Sequence, residues 1–80
     1  MSTRPHAIIQ ADIEETQRAW TTCKEVVKAF LERRLDLLHA GWPVTHALCE
    51  ALDADASRWA MHAEHQRHAL LSLRSERDDQ

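Results

Sequence analysis

The chain has 80 residues, a formal charge of −3, 44% hydrophobic and 29% charged side chains, which is the composition of one small globular domain at most. Residues 1–40 hold six basic and six acidic side chains and residues 41–80 hold four and seven, so neither half carries the basic footprint of a phosphate-backbone binder. No uncharged apolar run reaches the ~18 residues of a membrane span, and no N-terminal apolar stretch reads as a signal peptide.

Ser2 or Thr3 is a candidate cap for a first helix with Pro5 in its opening turn. A second candidate start is Asp12, with Glu15 as its capping-box partner. The start near Pro5 is preferred, with Asp12 inside the helix. From there Ile9, Ile13, Thr16, Trp20, Cys23, Val27, Phe30, Arg34 and Leu38 alternate three and four apart, the spacing of a heptad seam. Glu14–Arg18, Glu25–Lys28 and Arg33–Asp36 have the spacing of helix-supporting ion pairs.

The only Gly lies at Ala40-Gly41-Trp42-Pro43, the chain's midpoint. Gly past a helix end turns the backbone left-handed without a Cβ clash, and Pro suits the first turn of the next helix. His39 in the last turn suits the negative end of the helix dipole. A second ladder follows through Val44, Leu48, Leu52, Asp55, Trp59, His62, Gln66, Ala69/Leu70 and Leu73. Residues 72–80 lose the period, and 76–80 read as a disordered tail.

The expected fold is all-α: two long helices, about 5–40 and about 43–75, folded back about residues 40–43 as an antiparallel, coiled-coil-like hairpin. Folding at Gly41 sets residues whose numbers sum to about 82 side by side, with Trp20 against His62 and Cys23 against Trp59. Apolar residues off the seam (Val26, Leu31, Leu35, Leu37, Ala47, Ala51, Ala54, Met61 and Leu71) make the stripe wider than a two-helix contact needs. A second copy, giving a four-helix bundle, or a partner's amphipathic helix would cover it. The expected interaction residues are Trp20, Val26, Val27, Phe30, Leu31, Leu35, Leu37, Trp42, Ala47, Ala51, Trp59 and Met61. Trp42 serves equally as an exposed anchor or as a lid over Leu38 and His46.

No catalytic signature is present, and neither an enzyme nor a cofactor is expected. His62, His65 and His68 form an H-x-x-H-x-x-H run, but ~100° per residue spreads it about 120° around a helix and no acidic residue or Cys completes a tetrahedral set. They are minor candidates for metal, and His62 for pH sensing. Arg34 and Asp55 are polar seam positions that specify register or reach solvent at the edge. Cys23 and Cys49 fit no CxxC pattern; they read as buried fillers in a reduced, cytoplasmic setting.

Residues 45–64, with Leu48, Cys49 and Leu52 in a first helix, Asp53-Ala54-Asp55 as a turn and Trp59 in a second, resemble a helix-turn-helix of regulators and transposases, a DNA-binding reading that uses residues 45–71. The resemblance implies Ala56–Leu71 as a recognition helix with Arg58 and Arg67 as DNA contacts. Asp53 stands where that motif carries Gly, and His62 where it carries an aliphatic. In architecture, the expected hairpin resembles the small hairpin chaperones of type III secretion and the hairpin anti-activators of quorum-sensing regulators. That resemblance implies a larger protein that is held or inhibited. The leading expectation is a non-enzymatic protein-interaction module, self-associating or binding a larger partner. The DNA-binding and His-rich metal-binding readings are its alternatives, with nucleic acid and membrane not expected as partners.

Overall fold

A computed structural model describes residues 4–79, and among them the secondary structure is entirely helical. Helix α1 spans His6–His39 and α2 spans Ala47–Asp78. They lie against each other as an antiparallel hairpin, a rod of 56 × 16 × 13 Å. The candidate caps Ser2 and Thr3 lie outside the described residues. Pro5 occupies the N-cap position, its carbonyl accepting from Ile8 N–H and Ile9 N–H at 3.0 and 3.2 Å. Asp12 rides inside the helix.

Gly41 ends α1 as its sequence position predicts. Its φ of +96° lies in the left-handed region, which only Gly enters without strain. Gly41 N–H donates to the Leu38 carbonyl at 3.1 Å and Trp42 N–H to the Leu37 carbonyl at 3.0 Å. Two carbonyls that the end of the helix would leave unpaired are thereby satisfied.

The second helix starts later than expected. Pro43 belongs to a turn, not to the helix: His46 N–H donates to the Pro43 carbonyl at 2.9 Å. His46 then caps α2, its Nδ1 accepting from Leu48 N–H at 3.1 Å. The connection therefore occupies residues 40–46 and is centred on Pro43, which moves the expected pairing. Residues at equal height sum to about 86 and not 82, as the register of Arg34 with Asp53 and of Gln10 with Arg77 illustrates.

The α1 seam follows the sequence ladder. Ile9, Ile13 and Cys23 are buried, and Thr16, Trp20, Val27, Phe30 and Arg34 are half-buried between them. The α2 seam differs. Cys49, Leu52, Ala56 and Leu70 are buried, and Trp59, Ala63, Gln66 and Leu73 half-buried. Leu52, Trp59, Gln66, Leu70 and Leu73 match the expected ladder, whereas Cys49, Ala56 and Ala63 stand one residue beyond the expected Leu48, Asp55 and His62. Val44, Leu48 and His62 are exposed, and Ala56 lies deeper in the seam than its half-buried neighbour Asp55. One residue is ~100° of rotation, so the shift points a different flank of α2 at α1.

The firmest core lies at the open end, where Ile9, Ile13 and Leu70 cluster with Trp20 and Leu73 against them. Beyond it, Arg4 clasps both helices: its Nε and Nη2 reach Glu76 at 2.8 and 2.6 Å, and its Nη1 reaches Asp12 at 2.7 Å. Arg77 Nη1 donates to Gln10 at 3.2 Å. These cross-helix bonds, and the lack of any Gly or Pro after Pro43, account for α2 continuing to Asp78 through residues 76–78, which had read as a disordered tail. Helix-surface ion pairs are Lys28–Glu32, Asp55–Arg58 and Glu64–Arg67. The expected pairs Glu14–Arg18, Glu25–Lys28 and Arg33–Asp36 are not among those of the described residues.

Candidate interaction surface

The middle of the hairpin carries an open groove between the helices. Trp20, Lys24 and Val27 line it from α1, and Ala60, Ala63, Glu64 and Arg67 from α2. The heptad explains the lining. Trp20 and Val27 are seam residues facing the small seam residue Ala63, while Lys24, Ala60 and Arg67 stand one step off the seam on the same side. Small residues on α2 thus leave the sides of Trp20 and Val27 open.

Charges rim this apolar floor. Lys24 Nζ sits 3.9 Å from the centre of the Trp20 ring, a cation–π contact. Arg67 Nη2 holds Glu64 Oε2 at 3.0 Å, and His68 Nε2 approaches the same oxygen at 3.5 Å. The Arg67 hydrogen bond draws the Glu64 carboxyl below its ordinary pKa, and Glu64 in turn raises that of Arg67. Both signs of charge are present, so the rim suits a partner of mixed charge.

The expected interaction residues divide into two sets. Trp20, Val26, Val27, Phe30, Leu37 and Trp59 are half-buried, so part of each already serves the contact within the hairpin. Leu31, Leu35, Trp42 and Met61 are 44 to 65% exposed, and Ala47 and Ala51 are exposed as well. Leu31 continues the groove's stripe one turn beyond Val27, and Leu35 lies one turn further. Trp42 meets His46 edge-on, ring centres 4.4 Å apart, and remains half open to solvent. Lys24, Ala60, Ala63 and Glu64 were missed as surface-forming residues. For Lys24 and Ala60 the signal was present as the seven-residue spacings 24–31 and 53–60–67 beside the two seams.

The His run does not assemble a site. Among the described residues, no group of three or more His, Cys, Asp or Glu could hold a metal ion. His62 is exposed with its ring 5.7 Å from Trp59, so it does not occupy the seam position against Trp20 on which pH sensing was premised. The helix-turn-helix geometry is also absent. Helix α2 passes unbroken through Asp53-Ala54-Asp55. Neither Gly nor Pro interrupts it there, and Asp53 and Asp55 meet Arg34 and Arg58 from within the helix at 3.0 and 3.3 Å.

Cys23 and Cys49 are free and buried, as fillers would be. Among the described residues, no helix is long and apolar enough to cross a membrane. No family model, curated protein or solved structure matches the chain.

Proposed function

We propose that this hairpin is a non-enzymatic protein–protein interaction module, which self-associates or holds a larger protein as adaptor, chaperone or inhibitor. One observation carries the reading: eight large apolar side chains, Ile8, Leu31, Leu35, Trp42, Val44, Leu48, Met61 and Leu71, are 40 to 65% exposed on a rod one helix thick. Exposed apolar surface of this extent, with Leu31 and Leu35 adjoining along α1, supports contact with another protein. Two unpaired thiols suit a reducing compartment such as the cytoplasm.

Val27 and Phe30 belong to the hairpin's own seam, so substitutions there report on folding. The exposed pair Leu31 and Leu35 gives the cleaner test. Thermal unfolding is followed by circular dichroism across a hundredfold range of protein concentration. The melting temperature is expected to rise with concentration, as it does when association stabilises the native state. Leu31→Asp combined with Leu35→Asp should abolish that rise and keep the helical spectrum. A parent melting temperature independent of concentration would remove self-association and leave only the larger partner.

A further inference from the structure

We infer that the groove between Trp20, Val27, Ala60 and Ala63 is the seat of a second copy of this chain, packed face to face. The inference rests on the interaction reading above and names the partner for one face. Surface area argues for it. The chain exposes 5757 Å², whereas a globular monomer of its 9.2 kDa exposes about 4,900 Å². The excess of about 800 Å² is what one partner contributes to a standard interface. The radius of gyration points the same way, 17.6 Å against about 12 Å for a compact chain of this length.

Charge and size select the occupant. The rim carries both signs of charge, Lys24 and Arg67 beside Glu64, so two copies facing each other can set a cation of one against the carboxylate of the other. Ala60 is exposed, which lets another helix approach the floor closely. Stacking two rods on this face turns a one-layer rod into a four-helix bundle, the arrangement that buries both flanks of Trp20 and Val27.

The experiment is sedimentation equilibrium of the full chain and two variants at micromolar concentrations. The parent should show twice the 9.2 kDa chain mass. Ala60→Arg puts a long cation on the groove floor at an exposed helix position; its mass should fall to that of one chain, with helicity retained by circular dichroism. His62→Arg, exposed and ~200° round α2 from Ala60, should leave the mass doubled. A doubled mass in Ala60→Arg overturns this groove as the seat and leaves the interaction reading standing on another face. A parent that stays a single chain overturns the second copy itself, and a heterologous partner then carries the interaction reading alone.

Discussion

Arg34 holds a seam position where α1 would otherwise place an apolar side chain. Its Nε lies 3.0 Å from Asp53 Oδ1, yet the N–H is not aimed at that oxygen, and this buried atom has no hydrogen-bond partner. Asp53 is more than half exposed, so solvent weakens the attraction while Arg34 still bears the cost of losing its water. Arg34→Met keeps the length and removes the unpaired donor. It is expected to leave stability unchanged or raise it by about 1 kcal/mol in urea unfolding. A loss of that size would show instead that the ion pair holds the turn end together. The sequence marked Arg34 as a polar seam residue; its partner was not legible, because that depended on how α2 is placed.

Each helix owes its ends to different chemistry. The end of α1 depends on one backbone angle, and at Gly41 an added Cβ would meet nothing within 4 Å. The strain in Gly41→Ala is therefore purely that of an L-residue at φ +96°. We expect a cost of about 1 kcal/mol, and a melting temperature lower by roughly 4–8 °C, measured by calorimetry. An unchanged melting temperature would mean that the turn relaxes to another geometry. The start of α2 depends on the His46 side chain, a residue that no sequence rule for caps favours. For that reason the Gly stop was readable and the helix restart was misplaced at Pro43.

Along the whole rod, the open end is held by the Ile9, Ile13 and Leu70 cluster with a charged clasp beyond it, and the turn end by the covalent connection. Arg4 joins Asp12 of α1 to Glu76 of α2, and these groups are partly exposed, so salt screens them. Glu76→Gln, or high salt with the parent, is expected to speed amide exchange at residues 6–13 and 70–78 several-fold. Exchange in α1 and α2 next to the turn should be unaffected. Equal acceleration at both ends would show that the hairpin opens as one unit and that the clasp has no local role.

By itself the sequence determined the two helices, the Gly41 reversal and the α1 seam. All three are local: a period read over thirty residues, and one glycine among eighty. Only the tertiary structure decided which flank of α2 meets α1. Two ladders share Leu52, Trp59, Gln66 and Leu73, one completed by Leu48, Asp55 and His62, the other by Cys49, Ala56 and Ala63. Spacing along the chain cannot separate them, since both alternate three and four. Packing separates them, because small Ala63 fits beside Trp20 and the longer connection to Ala47 sets α2 in that register.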